Sequence, residues 1–298
     1  MLKQKMLELG YNSRDIDKIL NTYPVTNLRE EFLYFKVDKI FTFLLELGYT
    51  RREVIKITTI SPQIFVYSIE SIEEKIKEML DLGYTKEEFM KISKSLPAIY
   101  SQTIDNIKLK IDNMINLGYK KSQVIKMTKT LPSLYSYSIE SINQKFEDLK
   151  KIGYTKEEII KMTYSFPAIY SYSIKSIEQK IIDIMNLGYT LEEVLYITKT
   201  LPSLYGITID NIKQKKNFYD SINLKNLFIT DTKRLMQSVD LSIARYYFYL
   251  SIGIKITKEN YNLLFIGQDV FVKRHGLANR ELVNLYQTQI KLLKLKKG

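Results

Sequence analysis

Apolar and polar positions follow one another along most of this chain with the rhythm of an amphipathic helix, and the pattern restarts at regular intervals. Each restart is marked by Gly-Tyr, at Gly48, Gly83, Gly118, Gly153 and Gly188, 35 residues apart, with an earlier copy at Gly10, 38 residues before Gly48. The six prolines, Pro24, Pro62, Pro97, Pro132, Pro167 and Pro202, each stand 14 residues after one of these glycines. Self-similarity at such a period is the signature of a repeat architecture. Six repeats occupy residues 1–222, and residues 223–298 diverge from the pattern.

Counted from its Gly as position 1, a repeat carries Thr50, Thr85, Thr155 or Thr190 at position 3, with Asn12 and Lys120 in the other two copies. Position 6 is Glu53, Glu88, Glu158 or Glu193, with Asp15 and Gln123 in those two. A hydroxyl followed three residues later by a carboxylate is a capping box and predicts a helix start. The helix, of about ten residues, is apolar at positions 7, 8, 10 and 13. It stops at the position-15 proline, whose ring drives the preceding residue out of the α region and which has no amide to donate. After a short tight segment, Ser68, Thr103, Ser138, Ser173 and Thr208 at position 21 are N-caps of a longer helix, apolar at positions 22, 25, 29, 32, 33 and 35. The next repeat's glycine ends that helix.

Units of this kind cannot bury their apolar faces alone and stack into a solenoid whose ends need capping. The expected fold is all-α: a right- or left-handed helical-repeat solenoid over residues 1–222, with a helical C-terminal cap packed on it over residues 223–298. In the cap the pattern predicts a helix over 240–251, another from Thr257 to Phe265 and a last from about Ala278 to Lys297.

Hydrophobic residues make up 45% of the chain, which excludes general disorder. The longest apolar or aromatic run, Tyr246 to Leu250, is far too short to span a bilayer, so no membrane role is expected. There are no cysteines, one histidine, no glycine-rich phosphate loop and no metal-binding His and carboxylate spacing. A non-enzymatic protein without cofactor or metal is expected. No signal or transit pattern is visible at the start, and the expected location is intracellular, in the cytoplasm or an organellar matrix. The net charge of +12 points to an anionic partner, and it is uneven: residues 1–222 hold 32 basic and 28 acidic side chains, residues 223–298 hold 13 and 5.

The stretch "LPSLYSYSIESINQKFEDLKKIGYTKEEIIKM", Leu131 to Met162, resembles the repeat of the mitochondrial transcription termination factor (mTERF) family. The resemblance covers residues 10 to 222. It implies two α-helices and a short 3₁₀ helix per repeat, and a protein that binds nucleic acid along a basic groove, with roles in organellar transcription, RNA processing or translation. Together with the recurring lysines of this chain, it gives as the expected function contact with the phosphate backbone of DNA or RNA along a lysine-lined face, regulating transcription or RNA metabolism. The alternative is a helical-repeat scaffold holding a protein partner. A monomer is expected.

Comparison of the copies locates the candidate contacts. Position 28 is Lys75, Lys110, Lys145, Lys180 and Lys215, and position 9 is Lys18, Lys56, Lys91, Lys126 and Lys161, with Tyr196 in the sixth copy. Position 12 adds Lys94, Lys129 and Lys199. Position 28 lies within the apolar arc of its helix, so its stem is expected to pack while its ammonium reaches water. Stacked repeats would turn positions 9 and 28 into two lysine rows, suited to phosphate as point charges. Neutralising about five to eight phosphates would give a log–log salt slope near −4 to −7 on duplex DNA. In the tail, Lys273 and Arg274 are further candidates, with Lys291, Lys294, Lys296 and Lys297 near the end. The tyrosines at positions 2 and 18 are read as packing residues between repeats rather than stacking platforms for bases.

Overall fold

A computed structural model describes residues 1–295, and every regular element among them is an α- or 3₁₀-helix. Contacts divide the chain into two compact units, residues 1–145 and residues 146–298, with the division falling inside one long helix.

The first unit contains α1 (Leu2–Glu8), α2 (Ser13–Leu20), α3 (Glu30–Glu46), α4 (Arg51–Ile60), α5 (Ile69–Leu82), α6 (Lys86–Ser95), α7 (Ile104–Asn116), α8 (Lys121–Thr130) and the start of α9 (Ile139–Ile152). Its helices form two layers: α2, α4, α6 and α8 pack in succession, as do α1, α3, α5 and α7. The core between them is aliphatic and aromatic, with Val37, Ile40, Phe41, Val54, Ile57, Phe65, Ile72 and Met79 all within a few per cent of complete burial. Each such side chain contributes about 1.5–3 kcal/mol by leaving water.

The caps form as the sequence requires. Thr50, Thr85, Thr155 and Thr190 accept from the backbone of the glutamate three residues on, whose carboxylate bonds back to the threonine amide. The residues before the last five prolines leave the α region, as Leu131 does at φ −129°, ψ 79°. The proline then opens a 3₁₀ turn, Pro62–Val66, Pro97–Ser101, Pro132–Ser136, Pro167–Ser171 and Pro202–Gly206. At the other end Gly83 sits at φ 111°, and the amides of Gly83 and Tyr84 close on Leu80 and Met79, a Schellman ending that turns Tyr84 into the core.

The second unit continues from α9 with α10 (Lys156–Ser165), α11 (Ile174–Met185), α12 (Leu191–Thr200), α13 (Ile209–Ser221), α14 (Leu227–Thr230), α15 (Val239–Ser251), α16 (Gln268–His275), α17 (Asn279–Leu285) and α18 (Gln287–Leu295). Here α10, α12 and α14 form one layer and α11, α13 and α15 the other, with α17 and α18 against α15.

The plan does not stop at residue 222. Asn223 stands 35 residues after Gly188 and adopts φ 62°, with Leu224 bonded back to Tyr219 as Tyr11, Tyr49, Tyr84, Tyr119 and Tyr154 are to the helix before them. Asparagine tolerates this left-handed conformation better than other residues with a Cβ. After it come a first helix cut to the four residues of α14, a 3₁₀ turn over Thr232–Met236, a Ser238 N-cap and α15. Gly253, at φ 80°, begins one further copy, in which the first helix is only a turn, the 3₁₀ segment is Tyr261–Phe265 and the second helix is α16. The helix expected over 257–265 is thus a turn and a 3₁₀ segment, and the expected last helix is two helices parted at Tyr286.

Candidate nucleic-acid interface

On α4, α6, α8, α10 and α12 positions 7, 10 and 11 are buried, as Val54, Ile57 and Thr58 show in α4 and Phe89, Ile92 and Ser93 in α6, and on α2 positions 7 and 10 are, Ile16 and Ile19. Position 9 lies on the opposite side of the helix at 100° per residue. Lys18, Lys56, Lys91 and Lys126 are all exposed there, on α2, α4, α6 and α8 of the first unit, and Lys161 is exposed on α10 of the second. Packed helices lie about 8–10 Å apart, so successive lysines of the first unit recur at that interval. Position 5, one turn earlier, is Arg14 in the first repeat and Arg52 in the second, both exposed. In the third and fifth repeats it is Glu87 and Glu157, opposite charges at i,i+4 to Lys91 and Lys161.

The position-28 lysines are placed differently from the solvent-facing row expected of them. Lys75 donates to the carbonyl of Gln102, Lys110 to that of Tyr135, Lys180 to that of Ile207 at 2.5 Å and Lys215 to that of Leu235. Every acceptor belongs to the 3₁₀ segment of the following repeat or the residue just after it. Lys215 is 3% exposed, and burial pushes the ammonium groups of all four below the usual lysine range. Lys145 is half-buried at the same position and also has a partner. Their stem follows the apolar arc as expected, but a main-chain oxygen, not water, meets the charge.

The position-12 lysines are also engaged. Lys94 pairs with Glu53 at 3.0 Å, Lys129 with Glu88 at 2.7 Å and Lys199 with Glu158 at 2.6 Å, each reaching the capping glutamate of the repeat before. The lysine holds the carboxyls of Glu88 and Glu158 below the usual carboxylate range, and the Thr50 amide, followed by Lys94, does so for Glu53.

A third link uses the tyrosines. The Tyr84 hydroxyl meets Thr128 Oγ1 at 2.5 Å and the Tyr135 hydroxyl, all buried. Tyr154 meets Thr198 and Tyr205, each at 2.6 Å, and Tyr49 meets Ser93 at 2.6 Å and Tyr100 at 2.9 Å. Tyr11 bonds Thr58 alone at 2.7 Å, because position 18 of the second repeat is Phe65. Burial raises these phenols above their ordinary range, and buried rings are closed to base stacking. The polar residue at position 11 that completes each link was not singled out in the sequence, although Thr58, Ser93, Thr128, Thr163 and Thr198 recur there at 35-residue spacing.

The mTERF family model matches residues 3–117 and 105–225, three quarters of the chain, in two overlapping passes that follow the repeats. The chain belongs to the mTERF family. No curated protein sequence matches it. Proteins of the mTERF family are in general nucleic-acid-binding helical-repeat proteins without catalytic activity.

In this mTERF chain the links continue past the matched region. Arg245 takes the place of the position-28 lysine in the seventh copy: its guanidinium donates to the carbonyls of Leu264 at 2.9 Å and Ile266 at 2.6 Å, in and after the next 3₁₀ segment. It also bonds Asn279 Oδ1 at 3.0 Å and lies over the Phe271 ring. Of the tail candidates, Lys273 and Arg274 are exposed in the last turn of α16, where the helix dipole favours cations. Lys294 pairs with Asp240 at 2.6 Å, and Lys291 is exposed. Lys296 and Lys297 lie outside the described residues. No described helix is long and apolar enough to cross a membrane, and no described cluster of three or more His, Cys, Asp or Glu could hold a metal.

Proposed function

We propose that this mTERF protein binds the phosphate backbone of DNA or RNA through the outer face of the first helices in its first unit. The observation that supports this is exposure: Lys18, Lys56, Lys91 and Lys126 are exposed on successive first helices, although Lys126 also has a partner of its own, whereas Lys75, Lys94, Lys110 and Lys129 reach across to a neighbouring repeat. Arg14 and Arg52 reinforce the row in the first two repeats, where position 5 is basic rather than acidic. Lys161, Lys273 and Arg274 offer further contacts from the second unit. Regulation of transcription or RNA metabolism is the use this binding would serve.

The four lysines of the row contribute about −3.6 to the log–log salt slope on duplex DNA, and Arg14 and Arg52 about −1.8 more. Titration of labelled duplex, single-stranded DNA and structured RNA at several salt concentrations measures it. Lys56→Ala with Lys91→Ala is expected to flatten the slope by about two. Unchanged binding after both substitutions, or none at low salt, overturns the reading.

A second reading, a protein partner, draws on Phe32 and Phe35, which are 48% and 64% exposed one turn apart on α3. A partner captured by the full chain, kept through nuclease treatment and lost on Phe35→Ser, is the outcome that reading requires.

A further inference from the structure

The last two copies of the repeat differ from the others in their first helices, and a cavity lies beside them. A first helix of ten residues, as in α10 and α12, is cut to the four residues of α14 and then to a turn. Beside these shortened segments, lined by residues 223–227, 230, 258 and 261, there is a cleft of about 530 Å³ within the second unit. That volume falls in the range of small-ligand sites, roughly 300–1,000 Å³.

The lining has a distinct chemistry. Leu224 and Leu227, 5% and 3% exposed, form an apolar floor. Around them stand Lys225, Lys258, Asn223 and Asn226, all exposed. Neither ammonium makes an ion pair, and neither amide side chain a hydrogen bond, among the described residues. Thr230 and Tyr261 complete the wall. The nearby carboxylate of Asp231 is already held by Arg234 at 2.9 Å and by the Tyr261 hydroxyl at 3.2 Å, so it does not neutralise the lysines. Glu259, next to Lys258, is exposed and is the acid most able to compete.

We propose that this cleft binds a nucleoside phosphate. Two ammonium groups lining one cleft suit a phosphate group, which carries close to two negative charges as a monoester. The two asparagine amides, each able to donate and accept, suit the edge of a base lying over the leucines. The ligand is either a free nucleotide or the phosphate-bearing end of a strand. The proposal does not depend on the lysine row of the first unit, which recognises internal phosphates.

The test uses the full chain, with fluorescent adenosine triphosphate as probe and unlabelled triphosphate, inorganic phosphate, and short strands with and without a 5′ phosphate as competitors. Saturable binding is expected, weakened about tenfold by Lys225→Ala or by Lys258→Ala, a loss of about 1.4 kcal/mol in each case, and untouched by Lys56→Ala. Asn223→Gly keeps the left-handed backbone, removes only the amide, and is expected to weaken binding about threefold. Competition by the free triphosphate alone identifies a nucleotide site, and stronger competition by the 5′-phosphorylated strand than by its hydroxyl counterpart identifies a strand end. Absence of saturable binding of both probe and phosphorylated strand, or binding indifferent to Lys225→Ala and Lys258→Ala in variants that melt like the parent, overturns the proposal.

Discussion

The junction at Tyr154 and the junction at Tyr189 belong to the same unit and begin from the same residue, yet they are built differently. Tyr154 reaches a threonine on the next first helix and a tyrosine on the next 3₁₀ segment. The next first helix after Tyr189 is only α14, and the Tyr189 hydroxyl is buried without a partner. Its ring packs instead on Phe228 at 5.8 Å, with the Lys216 ammonium 5.7 Å from its centre. The basic link shows no such loss: Lys180, Lys215 and Arg245 each find a main-chain oxygen in or just after the next 3₁₀ segment. The tyrosine link depends on a full-length first helix. The basic link depends only on the 3₁₀ turn, and so survives where the helix is trimmed.

The comparison can be tested by removing each link in turn. Arg245→Ala strips three hydrogen bonds and a buried ring contact from the last copies, and is expected to cost about 3–5 kcal/mol in urea unfolding, with Arg245→Lys recovering part because lysine serves at the equivalent position elsewhere. Lys215→Met keeps the stem but leaves the Leu235 carbonyl unpaired in a buried site, for about 2 kcal/mol. Tyr154→Phe is expected to cost about 1–2 kcal/mol, since Thr198 and Tyr205 lose a partner. Tyr189→Phe, by contrast, is expected to be neutral or slightly stabilising, because the hydroxyl it removes has no partner to lose. Equal destabilisation by these two substitutions would break the distinction between the junctions.

The smallest expected loss of stability concerns the capping glutamates. Lys129, then the Thr85 amide, lowers the folded-state pKa of Glu88 below its unfolded value. The resulting stability is present above the ordinary carboxylate range and lost as pH falls through the folded value. Lys129→Ala should reduce stability at neutral pH by about 0.5 kcal/mol and flatten the acid limb of a melting-temperature profile.

The repeats were legible because their signals are local: the Thr-to-Glu capping spacing, the proline and the glycine each act within a few residues. The path of the last quarter was harder to see, because Asn223 does a glycine's work under another name and the first helices beside it are too short to show a period. The surface lysines at position 9 could be picked out from helical phase alone. The role of position 28 could not, since its partner is a carbonyl, a group every residue carries and no side chain reveals.

That carbonyl acceptor has an evolutionary consequence. A link received by main chain imposes no requirement on the identity of the receiving residue, and the acceptors of Lys75, Lys110, Lys180 and Lys215 are Gln102, Tyr135, Ile207 and Leu235. The 3₁₀ corner is therefore free to drift without a matching change across the junction. The position-12 pairs are different: both halves are side chains, so loss of one relaxes selection on the other. Within the first unit, Thr59 follows a repeat whose capping acid is the shorter Asp15, and the lysine returns with Glu53 and Glu88. Covariation among homologues should accordingly trace positions 6 and 12 and be silent on position 28, although the silent link is the one that runs on into the final copies.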